Sequence, residues 1–281
     1  MAAFKEGMAT LGWKEGSSYV LEERWMDGQS ERLRVLAVEL AAKRPAVIVA
    51  ATSQTVRAAS AAAPNTPVVQ ANGGDLVTFG LVKSLARPGG MITGLSNIGF
   101  ELEGKFIELL LAAVPGLRRV GFLIDPTASG YALGRKALKR SIAQYRIDAS
   151  FAEAARPEDI ESALSRLAKE GAQALVVMSS SWFISERRRI VTLALAERWP
   201  VVAGPLEFVD EGALLVYGAD RDALYRRAAY YVDRILKGAK PGDLPIEQPT
   251  KFELVINLRT AKSIGLPIPQ DLLLRANKVI E

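Results

Sequence analysis

Cysteine and histidine are both absent from the 281 residues. Without cysteine no disulfide forms, and thiol nucleophiles and thiolate metal sites are excluded. Without histidine there is no His-assisted serine triad and no zinc site built on Cys or His. Carboxylate chemistry or a metal site built on Asp and Glu alone stays open to an enzyme. No run of 18 or more apolar residues occurs, so nothing reads as a membrane-spanning helix. A strong charge bias is missing too: 36 Lys and Arg face 31 Asp and Glu, and the densest basic cluster is the triplet Arg187-Arg188-Arg189. Such a triplet reads more readily as a solvated helix face than as a nucleic-acid surface. Neither GxGxxG nor GxxxxGK[ST] is present, which leaves dinucleotide and nucleoside triphosphate binding without their usual phosphate loops.

What is present is an alternation. The length suggests two domains. Short β-rich apolar runs alternate with stretches of helical periodicity, the pattern of a mostly parallel sheet covered by helices. The first set comprises a helix already under way at Met1–Met8, a helical face of Leu33, Leu36, Ala37 and Leu40, and strands at 47–51, 67–70 and 91–95. The second set begins with a helix marked by Phe106, Leu109, Leu110 and Ala113 and stopped near Pro115-Gly116. Strands follow at 120–124, 147–151, 174–178, 200–203 and 213–217. Helical faces lie at Ile160, Ala163, Leu164 and Leu167 and over 186–197. Leu224, Ala228, Tyr231 and Ile235 give a further helix stopped by Gly238, and 252–257 a last strand.

In parallel sheets ligands gather at the carboxyl ends of the strands, where helix amino termini offer free N–H groups. The residues there are Thr52, Ser53, Gln54 and Thr55 after the first strand, Gly74 and Asp75 after the second, and Ser96 with Asn97 after the third. In the second set they are Asp125, Ser179, Ser180, Trp182, Phe208 and Tyr217. Each has a plainer reading. Thr52, Ser53 and Thr55 can cap a helix as readily as they bind a carboxylate or hydroxyl. Asp75 either receives a ligand ammonium or caps a helix starting near Leu76. Trp182 can stack on a planar ligand, whereas Phe183 beside it packs under its helix. Tyr217 faces either a cleft or a hinge.

Three segments carry a resemblance to a known family: Ser84-Leu85-Ala86-Arg87-Pro88-Gly89-Gly90 with Thr93-Gly94-Leu95-Ser96, Glu207-Phe208-Val209-Asp210-Glu211-Gly212 with Tyr217-Gly218, and the run from Gln248 to Leu258. Through nearly its whole length the chain resembles the substrate-binding proteins of ABC transporters, in the tryptophan- and tyrosine-type branch. The resemblance implies a two-lobed, type I periplasmic-binding-protein fold, each lobe a Rossmann-like parallel sheet flanked by helices, with three hinge crossings. Residues 1–93 and 220–246 would form the first lobe, and 94–219 and 247–281 the second. It implies a clamp that closes on a small solute, an aromatic or other amino acid, in the cleft between lobes, with ligand contacts from Thr52, Ser53, Gln54, the loop of Gly74 and Asp75, Ser96, Asp125, Ser179, Ser180 and Phe208. Trp182 is added from position alone. It also implies a membrane permease and its ATPase as partners; no cofactor, metal, nucleic acid or direct membrane insertion is expected, and the chain is expected to be a monomer or weak dimer.

Relatives begin with an export signal and then a strand whose loop joins the pocket. Here Phe4–Trp13 resembles the helix after that strand, so the first strand of lobe 1 is expected to be missing. A late-assigned start, trimming and genuine shortening all fit. A periplasmic or membrane-anchored extracytoplasmic location therefore presupposes a signal upstream of Met1. Two other functions stay open: a ligand-sensing module, and, less favoured, a carboxylate-dependent α/β enzyme.

Overall fold

A computed structural model describes residues 1–26, 29–96, 99–128 and 131–281. In chain order the elements are α1 (Ala2–Thr10), α2 (Leu33–Ala42), β1 (Ile48–Ala50), α3 (Ser53–Ala62), β2 (Val68–Gly73) and β3 (Ile92–Ser96). There follow α4 (Gly99–Ala113), β4 (Arg119–Ile124), α5 (Tyr131–Ile142), β5 (Asp148–Glu153), α6 (Asp159–Lys169) and β6 (Ala174–Val177). Next come α7 (Ser181–Ser185), α8 (Arg187–Ala196), β7 (Val201–Ala203), α9 (Glu207–Asp210) and β8 (Leu215–Ala219). The last are α10 (Arg221–Leu236), β9 (Phe252–Asn257), α11 (Leu258–Ile264), α12 (Gln270–Leu273) and β10 (Lys278–Ile280). The strong apolar runs of the sequence lie on these strands, within a few residues of the expected bounds. The chain divides into two compact units, 1–98 with 219–251 and 99–218 with 252–281.

Unit 1 is built on a parallel sheet in the order β1-β2-β3, with Ile48 opposite Val68 and Val68 opposite Ile92. Its apolar core joins Ile48, Ala50, Val68 and Ile92 to Val56 and Ala59 of α3 and to Leu76 and Ile246. Helix α3 starts where it does because Thr52 and Thr55 form a reciprocal cap: each side-chain oxygen takes the other's backbone N–H, at 3.3 and 2.8 Å. Helix α10 starts at Asp220, whose carboxylate accepts the Ala223 N–H. Helix α1 packs on α10. Gly7 allows the close approach, since a β-carbon there would stand 2.8 Å from that of Ala229, and the Trp13 indole donates to Asp233 at 2.9 Å.

Unit 2 carries a sheet in the order β10-β9-β8-β7-β6-β4-β5, in which β10–β9, β8–β7, β7–β6, β6–β4 and β4–β5 pair in parallel. The inner strand β6, Ala-Leu-Val-Val, is buried at every position, as a strand covered on both faces must be, whereas β5 at the edge is mostly half-exposed. Ile160, Ala163, Leu164 and Leu167 of α6 turn inward onto Leu123, Ala152 and Leu175, and the charged residues of that helix face water. Among the described residues no helix is long and apolar enough to cross a membrane.

Candidate functional site

The carboxyl ends of β1, β2 and β3 meet in unit 1 around a residue that the sequence did not single out. Gln70, in β2, has no exposed surface. Its Oε1 accepts the Ser53 hydroxyl at 3.1 Å, and its Nε2 donates to the carbonyls of Gly74 at 3.1 Å and Leu95 at 2.8 Å. The Gly74 carbonyl is also within reach of Ser53 Oγ at 3.3 Å and Ser96 Oγ at 3.4 Å. Thr52, Ser53, Thr55, Gly74 and Ser96 are thereby gathered at one end of the sheet. Ser53 and Ser96 are buried, with their hydroxyls turned toward this loop. Gly74 admits the ring of Phe79, which a β-carbon would meet at 2.6 Å. Asp75 takes the Val77 N–H on Oδ1 at 2.9 Å and the Thr78 hydroxyl on Oδ2 at 2.7 Å, so it caps the turn that follows. Gln54 lines a groove of about 570 Å³ between α2 and α3, shared with Arg34, Val38, Arg57 and Ala61. Asn97 lies outside the described residues.

In unit 2, Asp125 at the end of β4 is buried and holds two loops together. Its Oδ1 accepts the Thr127 N–H at 2.8 Å and the Thr127 hydroxyl at 2.6 Å, and its Oδ2 accepts the Ser180 hydroxyl from the end of β6 at 2.7 Å. Ser179, one residue earlier, is exposed. Gly204, just beyond β7, lies beside it: a β-carbon there would make ordinary contacts, 3.9 Å from Ser179 Oγ and 3.5 Å from the Phe106 ring. Tyr217 is half-buried and stacks on Phe252 with centroids 5.8 Å apart. Trp182 and Phe208, expected at a binding surface, lie in the apolar core of this unit with Phe183, Ile190 and Val255. The short helices α7 and α9 turn both rings away from solvent, and Trp182 packs edge-on against Phe183 at 4.3 Å.

Chemically, the unit 1 cluster presents the Thr52 hydroxyl and the amino terminus of a ten-residue helix, which suit an anion, while Ser53, Thr55 and Ser96 spend their hydroxyl protons on protein acceptors. Unit 2 presents a carboxylate with two bound hydroxyls, which suits a cation or a donor. Among the described residues no group of three or more Asp and Glu is placed to hold a metal ion.

Comparison with known proteins gives these geometries a context. A curated tyrosine-binding protein of Clostridioides difficile is 22% identical over 263 residues, 94% of this chain and 75% of that protein. Among solved structures, a conserved domain protein of Vibrio cholerae is 26% identical with a TM-score of 0.93, and an ABC domain in complex with L-Trp from Streptococcus pneumonia is 22% identical with a TM-score of 0.92. Both alignments cover 99% of this chain and 93% of the other. The second of these likenesses shows a shared fold, the two-lobed α/β architecture of periplasmic binding proteins. The model of the ABC transporter substrate binding protein family matches residues 1–280. The chain belongs to that family, whose members bind solutes for transport and do not transform them.

Proposed function

We propose that this solute-binding component takes an amino acid and that its two units each supply half of the site. The reading is carried by the polar groups at the carboxyl ends of parallel strands in both units: Thr52, Ser53 and Thr55 with the α3 amino terminus in one, and Asp125 with Ser180 in the other. An α-amino acid carries one carboxylate and one ammonium, and these two half-sites offer the matching partners. Relatives that bind tyrosine and L-Trp support the class of solute. Exposed Ser179, half-buried Tyr217 and the Gly74–Asp75 turn complete the proposed set.

Binding would favour the clamped arrangement, with the passages near 98–99, 218–219 and 251–252 acting as hinges and a membrane permease receiving the loaded form outside the cytoplasm. A further strand alongside β1 belongs to the same reading. Among the described residues β1 pairs only with β2, and Val20, Trp25, Val35 and Val38, all in the segments before β1, are exposed. A thermal-shift screen of amino acids, small carboxylates, sugars and nucleosides tests the proposal, because a ligand of the native state raises the melting temperature. A rise confined to sugars or nucleosides contradicts it.

A further inference from the structure

We infer that Gln70 is the positioning residue of unit 1, fixing the solute-facing loop and the outgoing end of β3 as one piece. The inference rests on the reading of the strand ends as a half-site. A primary amide has one acceptor oxygen and two N–H donors, and here the oxygen and both donors are engaged by protein groups on three different segments: the start of α3, the loop after β2 and the end of β3. Such a fully satisfied buried amide specifies one arrangement, because any other leaves a polar group unpaired.

The backbone is shaped to allow it. The register between β2 and β3 shifts between Gln70 and Gly73, so the side chain reaches past its own strand to the Gly74 carbonyl. Gly73 leaves the space that the amide fills, since a β-carbon there would collide with it. On the other side the amide holds Leu95. That residue forms a bridge with Glu247, whose N–H donates to the Gly94 carbonyl at 3.0 Å and whose carbonyl accepts the Ser96 N–H at 2.8 Å. Arg227 donates to the Glu247 carboxylate through Nε at 2.9 Å and Nη2 at 2.6 Å, and its guanidinium lies 3.9 Å from the centroid of the Tyr230 ring. The segments through which the chain leaves unit 1 are thus tied, by way of one side chain, to the loop bearing Gly74 and Asp75.

Two variants separate positioning from general stability. Gln70→Met keeps the length and removes every hydrogen bond. Gln70→Glu keeps the acceptor for Ser53 and loses the donors, but a protonated carboxyl regains one of them, and burial beside two carbonyls favours that form. Amide hydrogen exchange without solute is followed alongside binding of L-tryptophan and L-tyrosine, at a temperature where each protein is folded. For Gln70→Met, exchange is expected to quicken by about tenfold or more around Gly74 and around Gly94–Ser96, with α1 and α10 unchanged and affinity weakened by about tenfold. Gln70→Glu is expected to behave similarly at pH 8 and to recover toward the wild type near pH 5, and it carries the test if Gln70→Met does not fold. Unchanged exchange in the two segments, uniform quickening over all of unit 1, or wild-type affinity in both variants would overturn the inference. If the wild-type protein takes neither amino acid, the amino-acid reading loses its support and the exchange pattern alone decides the role of Gln70.

Discussion

Gly94 lies so close against Gln70 that a β-carbon on it would stand 2.7 Å from the Gln70 nitrogen and collide with the Gln70 carbonyl oxygen, at a backbone φ of +119°. Both sterics and conformation therefore demand glycine where β3 pairs with β2. Replacing Gly94 by Ala is expected to cost about 2–4 kcal/mol, from strain plus displaced backbone. Gly238, with φ at +96° but nothing within 4 Å of an added β-carbon, is the control, expected at about 1 kcal/mol. Urea titration of both variants measures the difference, and equal midpoints would contradict the role given to the close approach.

The ion pair of Arg227 with Glu247 makes an acid-dependent contribution. The hydrogen bond from Arg227 lowers the Glu247 carboxyl below its ordinary 4.5, against the opposing effect of burial. A depressed carboxyl stabilises the fold above its unfolded value and loses that contribution as pH falls through the folded one. Melting temperature should therefore drop on acidification below about pH 4.5, and the drop should be shallower in Glu247→Gln than in the wild type. Identical acid limbs would show that the pair contributes nothing.

At the alkaline end the sign reverses. Burial pushes the Tyr231 phenol well above its ordinary 10, and its hydroxyl donates to the Pro245 carbonyl at 2.6 Å. A raised group stabilises below its unfolded value and ceases to do so as pH rises through the folded one, so this contribution is retained up to pH 10 and lost above it. Tyr231→Phe should flatten the loss of stability on raising the pH beyond 10. A variant as alkali-sensitive as the wild type would place the cause elsewhere.

Asp125 and Asp75 make contrasting candidates for holding an ammonium. Asp125 is buried and bonds Thr127 and Ser180, whereas Asp75 is half-buried and, among the described residues, bonds Val77 and Thr78 of its own turn. In Asp125→Asn the amide oxygen can still serve Thr127 and Ser180 can turn to accept, so stability should hold within about 1 kcal/mol. The lost charge should weaken solute binding by about tenfold or more, while Asp75→Asn should weaken it less. Calorimetry on both variants distinguishes the two, and the reverse ranking would move the ammonium to unit 1.

Much of this fold is written in local pattern. The apolar run at 174–178 becomes β6, and the spacing of Ile160, Ala163, Leu164 and Leu167 becomes the buried face of α6. Helix α5 was not foreseen, because Gly134, Arg135, Lys136, Lys139 and Arg140 blur its apolar stripe. Helix α11 and strand β10 lie in a terminal segment that the sequence left unassigned, and β10 has only three residues. At the candidate site, the strand ends were legible and the direction of the side chains was not. Trp182 and Phe208 follow strands as expected, but one turn of helix carries each ring into the core. Gln70 reads in sequence as any polar residue at a strand end. Its role depends on three segments separated by up to 42 residues, Ser53 to Leu95, meeting in space.

Isothermal titration of the wild-type protein with L-tryptophan and L-tyrosine, repeated on Thr52→Ala from unit 1 and Asp125→Asn from unit 2, probes both half-sites at once. The expected result is saturable one-to-one binding of at least one amino acid, weakened by each substitution while both variants remain folded. Absence of binding by these and the other common amino acids, or binding indifferent to both substitutions, would contradict it.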